Sequence, residues 1–269
     1  MKLAKRFVVE PGAKLKLDER DPEDTAGIGG KDEAEEQVAK NASRLAELQY
    51  LLYADNRRAL LVVLQAMDAG GKDGTIRHVI SAFNPQGCRV TPFKVPSAEE
   101  ADHDYLWRVH QAVPPKGEIG VFNRSHYEDV LVVRVHNLVP KGVWSKRYDQ
   151  INAFEKLLSD NGIQIVKFFL HISKDEQKKR FQQRLEDPTK HWKLSAGDFA
   201  ERKRWDDYMK AYEDALGRCS TECAPWYVIP ANKKWFCHLA VSEILVSTLE
   251  ALDMKFPEPT LDVSKVKLE

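Results

Sequence analysis

Residues 59–77 read ALLVVLQAMDAGGKDGTIR, and the fold is decided there. Ala59-Leu60-Leu61-Val62-Val63-Leu64 is an unbroken apolar run. It is too short for a helix and too apolar for a half-exposed strand, so it predicts a central parallel strand covered on both faces. A small loop with two glycines follows at 65–71, and Lys72-Asp73-Gly74-Thr75-Ile76-Arg77 opens a helix. Strand, glycine loop, lysine and helix N-terminus together form an apparatus for holding a phosphate chain. Backbone N–H groups point into the concavity, the helix dipole adds partial positive charge and the lysine adds a full one.

The loop departs from the pattern G-x-x-x-x-G-K-[ST] in ways that matter chemically. Gly71 and Lys72 stand in place, Ala66 replaces the first glycine, and Asp73 replaces the hydroxyl residue that ordinarily holds Mg²⁺. Asp68 adds a carboxylate inside the loop. Taken alone, the stretch also fits a strand-to-helix turn whose glycines serve packing.

At 269 residues the chain can bury one substantial core with an appended subdomain. A hydrophobic content of 43% and a charged content of 30% describe a globular protein without a membrane span. The net charge is zero, so no global excess draws the chain to nucleic acid or membrane, and polyanion affinity must come from a local patch. The basic N-terminus lacks the apolar core of a signal peptide. The four cysteines form no CxxC pair, and Cys219, Cys223 and His238 read as buried small groups rather than a metal site. These features predict a cytoplasmic protein with reduced thiols.

Residues 1–31 read as an extended arm, and 254–269 as a loosely held tail. Between them strand runs at 59–64, 88–93, 118–122, 164–172 and 226–230 alternate with helical patterns. Ser97-Ala98-Glu99-Glu100 is a capping box opening a helix through 111, and Ser173 caps another. Helices are also predicted at 32–53, 72–82, 143–159 and 234–252. The alternation predicts an α/β domain at 32–253, a five-stranded parallel sheet flanked by helices. A helical excursion at 187–224 begins with a lid at about 187–205.

Parallel sheets bind ligands beyond the carboxyl ends of their strands. One such end is the glycine loop. The other is Phe122-Asn123-Arg124-Ser125-His126-Tyr127-Glu128-Asp129. Kinases with this type of loop end the strand in an Asp bearing on Mg²⁺; here Asn123 carries no charge, so metal binding shifts to Asp68 and Asp73. Arg124 can fork two phosphate oxygens. The competing reading pairs Arg124, Glu128 and Asp129 among themselves on a helix face. The run Arg184, Lys190, Lys193 and its neighbours reads either as a solvated basic face or as lid cations near a transferring phosphoryl group.

AMDAGGKDGTIR, FNRSHYEDVLVVRVHNLVP, DPTKHWKLSAGD, RWDDYMKAYEDAL and TECAPWYVIPANKKW, in that order, resemble the polyphosphate kinase type 2 family, and within it the class III branch. The likeness runs from about residue 32 to 252. It implies a P-loop kinase-like fold and Mg²⁺-dependent phosphoryl transfer between inorganic polyphosphate and nucleotides, with Mn²⁺ as a substitute ion. Lys72 resembles the family's phosphate-gripping lysine, Asp68 its metal-binding and acceptor-activating carboxylate, and Arg124 the arginine after the second strand of the site. Glu128 stands where other branches carry Asn, which implies acceptance of both mono- and diphosphates, AMP to ADP to ATP. Phosphate is then expected against Ala69, Gly70, Gly71, Lys72, Asp73, Gly74, Arg77, Arg124, Arg184, Lys190 and Lys193. The nucleotide, adenine or guanine, is expected against Asn123, His126, Tyr127 and Glu128, and the family habit is a homo-oligomer. Two rivals are an ATP-dependent nucleotide monophosphate kinase and a catalytically silent polyanion-binding protein.

Overall fold

In the computed structural model of the chain, which describes residues 2–266, the apolar run at Ala59–Gln65 is a strand with all seven residues buried. In chain order, α1 (Lys2–Phe7) and α2 (Lys31–Asp55) lead to β1 (Ala59–Gln65), and α3 (Lys72–His78) leads to β2 (Cys88–Pro92). Next come α4 (Ala98–Asp102), α5 (Trp107–Gln111) and β3 (Ile119–Asn123), then α6 (Val132–Val135), α7 (Lys141–Trp144), α8 (Arg147–Asp160) and β4 (Ile163–His171). The chain continues through α9 (Lys174–Glu186), α10 (Ala196–Lys203), α11 (Trp205–Cys219), β5 (Trp226–Pro230) and α12 (Lys234–Glu250).

The five strands are parallel in the order β2-β3-β1-β4-β5. Placing β1 between β3 and β4 explains its uniform apolarity, since both edges are hydrogen-bonded and both faces covered. α12 is apolar on nearly all sides, burying Phe236, Leu239, Ile244 and Leu245 between the sheet and α2. α2 answers with Ala34, Leu45, Leu48 and Leu52. Elsewhere α8 packs on β4 and on α11.

The predicted capping box is formed, with the Glu100 N–H donating to Ser97 Oγ and the Ser97 N–H to Glu100 Oε2. The helix expected through residue 111 is interrupted, however. Asp104 accepts the Leu106 N–H on its carboxylate, a local turn that competes with helix continuation. The helix expected at 143–159 likewise divides into α7, which starts directly after Pro140, and α8.

The arm is not extended throughout. α1 is helical, and Leu3, Phe7, Val9, Leu15 and Leu17 are buried. Val8 bridges Tyr227 antiparallel, and the Val9 N–H donates to Trp226 O at 2.8 Å, so the arm shields the outer edge of β5. In the tail Met254 is buried, and the exposed Phe256 ring lies 5.9 Å from Tyr50. Among the described residues no helix is long and apolar enough to cross a membrane.

Candidate active site

β1 ends in a loop whose curvature is set by close packing. A Cβ on Gly70 would lie 2.5 Å from the Ala66 methyl and 2.7 Å from Met67 O, so the Ala66 side chain fits only because residue 70 has none. Ala69 at φ 59° and Gly71 at φ 111° both adopt left-handed backbone, which glycine tolerates and alanine must be held in. The Gly70 N–H closes a turn on Met67 O at 2.9 Å. The first helical bond of α3 runs from Thr75 N to Gly71 O, which leaves the N–H groups of 71–74 without an intrahelical acceptor. α3 spans only seven residues, so the unpaired loop amides add to the partial positive charge at its N-terminus.

Lys72 folds back over this loop, its Nζ donating to Ala66 O at 2.9 Å. Desolvation first, and then the neighbouring Arg124 charge, pull its ammonium down to about 8.

The end of β3 meets the loop through two consecutive residues. Asn123 Nδ2 donates to Asp73 Oδ1 at 2.9 Å, and Arg124 Nη2 pairs with Asp68 Oδ1 at 2.9 Å. β3 delivers both because it lies beside β1 in register, Leu64 opposite Asn123. Arg124 sits at φ 63°. Burial works against its charge, but Glu128 and Asp68 more than offset this and hold it firmly protonated. Gln65 Nε2, at the last position of β1, reaches Glu128 Oε1 at 3.2 Å. Asp68, Lys72, Asp73, Asn123, Arg124 and Glu128 are thus brought together. The reading in which Arg124, Glu128 and Asp129 pair only with one another does not hold. Asp129 turns away to Arg147 at 2.7 Å, and burial raises its carboxyl to about 6 despite that partner.

His126 and Tyr127 require a correction. Both side chains are buried, so neither faces a nucleotide. They join a cluster beneath the site: His126 Nε2 and Tyr127 OH both contact Glu155 Oε1, at 3.1 and 2.9 Å. Lys167, inside β4, pairs with Glu155 Oε2 at 2.5 Å and donates to Tyr127 OH and Cys219 O. Burial opposes the Glu155 charge, but Lys167 and His126 outweigh it and keep the carboxylate ionised. A short turn of 3₁₀ helix at His126–Asp129 turns these side chains inward and Glu128 toward Gln65.

The basic stretch after α9 makes its contacts within its own segment. Arg184 lies 3.7 Å from Asp198 and 3.5 Å from Lys193 O, Lys190 pairs with Asp187 at 2.7 Å, and Lys193 sits 5.1 Å over the Trp192 ring. Arg184 and Lys190 each have an acid of their own segment while Lys193 lies over an aromatic ring, and none of these contacts reaches the loop. Arg77 is exposed on the last turn of α3. Two residues that sequence reading passed over do reach the loop. From α9, Gln177 Nε2 donates to Asp68 O at 2.9 Å and Arg180 Nη1 to Ala69 O at 2.8 Å. Arg180 also ties to Glu176, Ala231 and Asn232. In the run KKR nothing separates Arg180 from the exposed Lys178 and Lys179 except helical phase.

Donor chemistry tests whether a metal fits. Asp68 and Asp73 each use one carboxylate oxygen in the contacts above, which leaves Oδ2 of each free at the loop mouth. Two hard carboxylates beside a phosphate loop suit Mg²⁺, which keeps waters and takes phosphate oxygens rather than a full protein cage. Among the described residues no group of three or more His, Cys, Asp or Glu is arranged to hold a metal ion, and the four cysteines are free. Beyond β2, a cleft of about 280 Å³ is lined by Thr91, Phe93, Lys94, Glu100 and Arg108 among others. It is joined to the site by the Phe93 N–H donating to Asn123 O at 3.1 Å.

A parallel sheet in this order, a glycine loop after β1 with a lysine folded across it, and an arginine delivered by β3 define a P-loop kinase-like protein. The family model of polyphosphate kinase 2 matches residues 29–257, and the chain belongs to that family. It is 56% identical over 266 residues to the AMP/ADP-polyphosphate phosphotransferase of Meiothermus ruber, covering 98% of this chain and 100% of that one. It is 49% identical to the ADP-polyphosphate phosphotransferase of Rhodopseudomonas palustris, covering 95% and 93% of the two. The crystal structure of polyphosphate kinase 2 from Arthrobacter aurescens TC1 superposes with a TM-score of 0.94 at 48% identity, over 97% of this chain and 94% of that one. The family inferred from the motifs is therefore the family found.

Proposed function

We propose that the chain phosphorylates nucleoside mono- and diphosphates, AMP to ADP to ATP, with inorganic polyphosphate as donor. One observation carries the residue assignment. The carboxylates of the loop, Asp68 and Asp73, are each grasped by a residue at the end of β3, so the loop and strand end form one anionic-substrate site.

Phosphoryl transfer needs positioning and electrostatic stabilisation more than covalent chemistry. The loop N–H groups and Lys72 hold the donor's terminal phosphates. Arg124 exchanges part of its contact with Asp68 for the equatorial oxygens of the group in flight. Asp68 and Asp73 would hold Mg²⁺, whose charge would offset repulsion between donor and acceptor anions. Glu128, fixed by Gln65, faces the acceptor's terminal phosphate, and the cleft floored by Phe93 receives its nucleoside. Arg184 and Lys190 exchange their local acids for the polyphosphate tail, Lys193 joins them on it, and the segment at 187–205 excludes water. Cytoplasmic location, homo-oligomeric assembly and use of guanine nucleotides belong to the same reading.

The test is a chromatographic time course with purified protein, Mg²⁺, long-chain polyphosphate and AMP, without ATP. ADP followed by ATP is expected, and Asp68→Asn lowers the rate at least a hundredfold with an unchanged melting temperature. Product from ADP alone would remove the monophosphate activity. Product only when ATP replaces polyphosphate would overturn the donor, and near-normal turnover of Asp68→Asn would overturn the site. Parallel tubes with GDP, and the mass of the native particle in solution, test the remaining points.

A further inference from the structure

One side chain touches both the phosphate loop and the segment that follows it across α9. Gln177 is fully buried. Its Nε2 donates to Asp68 O at 2.9 Å, and its Oε1 accepts from Arg202 Nη1 on α10 at 3.1 Å. Donor and acceptor ends of the amide are each matched by a partner of the opposite kind, so a flipped amide would lose both bonds. Arg202 is itself anchored, donating to Lys174 O at 2.6 Å. The adjacent Glu201 is held by His136 at 2.9 Å and by Tyr208 OH at 2.5 Å.

The consequence for the loop follows from peptide geometry. In a trans peptide N–H and C=O point in opposite directions. Gln177 draws the Asp68 carbonyl toward α9, and Arg180 draws that of Ala69. The Ala69 N–H is thereby turned away from α9. The same bonds hold Ala69 at φ 59°, a conformation alanine does not adopt unaided. They also fix the backbone that carries the Asp68 carboxylate to Arg124.

We propose that Gln177 is a positioning residue for phosphoryl transfer, coupling α10 through Arg202 to the orientation of the Asp68 peptide in the phosphate loop. The proposal rests on the phosphotransferase reading above. It adds that α10, which makes no described contact with the loop itself, sets the loop's geometry through one amide.

The experiment uses the full chain and four variants: Gln177→Met, Arg202→Ala, Arg202→Lys and the Gln177→Met/Arg202→Ala double. Steady-state rates with polyphosphate and ADP are paired with hydrogen exchange of the loop peptide in the substrate-free protein. Each of the first two variants is expected to lower kcat about tenfold with the KM for ADP nearly unchanged. The double variant should be no slower than Gln177→Met alone. Arg202→Lys, which still donates to Gln177 Oε1, should keep most of the rate. Loop amides should exchange faster in Arg202→Ala than in the parent.

Multiplying losses in the double variant would overturn the coupling, and so would loop exchange that Arg202→Ala leaves unchanged. If Gln177→Met does not fold, the two Arg202 variants decide the matter by the same rate and exchange criteria. If the parent forms no product from polyphosphate, the phosphotransferase reading falls, while loop exchange still accepts or rejects the coupling.

Discussion

Lys72 offers the sharpest test of how the site holds its donor, because its charge is made titratable by position alone. Desolvation and the Arg124 charge bring its ammonium to about 8, against about 10.4 for an unperturbed lysine. A group titrating there is about nine-tenths charged at pH 7 and about one-tenth at pH 9. If polyphosphate requires the charged form, kcat/KM for polyphosphate at saturating ADP should fall about tenfold between those two values. At saturating ADP that parameter reports the ADP complex before it has captured polyphosphate, so donor binding does not mask the titration. Unfolding does not mimic it. The native lysine has the lower pKa, so between about 8 and about 10.5 the native state binds fewer protons than the unfolded chain, and this group's contribution to stability rises with pH. The assay is a pH series from 6.5 to 9.5 on the parent and on Lys72→Arg, whose guanidinium stays charged throughout. The break near pH 8 should disappear in Lys72→Arg, whatever that variant's absolute rate. A flat parent profile to pH 9.5, or the same break in both proteins, would refute the argument.

Three further outcomes follow from the geometry. Glu128→Asn should depress AMP phosphorylation more than ADP phosphorylation, read as the ratio of the two kcat/KM values; equal losses would show that Glu128 does not distinguish the acceptors. Gly70→Ala forces a methyl onto Ala66 and Met67 O and should cost about 1–3 kcal/mol in urea unfolding, with turnover falling further than stability does. Lys167→Met leaves the Glu155 carboxylate buried without its cation and should destabilise by about 3–5 kcal/mol, whereas Lys167→Met/Glu155→Met should recover most of that loss. Additive losses in that pair would mean the two side chains act independently.

The contrast between Lys167 and Lys72 shows where sequence reading stops. The apolar run at 59–64 declares a doubly covered strand because burial on both faces leaves no polar position, and that constraint is local. Gly71 and Lys72 declare a phosphate loop for the same kind of reason, and the capping residues Ser97 and Ser173 act within one turn. Several long motifs in one order were enough to reach the family. Lys167, by contrast, reads as an ordinary charged residue in an apolar run. Its partner Glu155 reads as a helix-surface acid, and only the packing of α8 against β4 makes them one buried pair. His126 and Tyr127 were expected at the nucleotide from the family resemblance, beside Glu128 in one motif. A 3₁₀ turn sends them to the interior instead.

The chain by itself thus determined the parallel α/β sheet and the glycine loop, and it singled out Asp68, Lys72 and Arg124 as candidates, because short-range patterns and contiguous motifs encode them. Only the tertiary structure decided that Gln177 and Arg180 hold the loop, and that Arg184 and Lys190 are matched by acids of their own segment. The Gln177 and Arg180 contacts depend on which face of a helix meets a loop more than a hundred residues away in the chain. One or two residues of helical phase separate a solvated lysine from an arginine that sets backbone geometry.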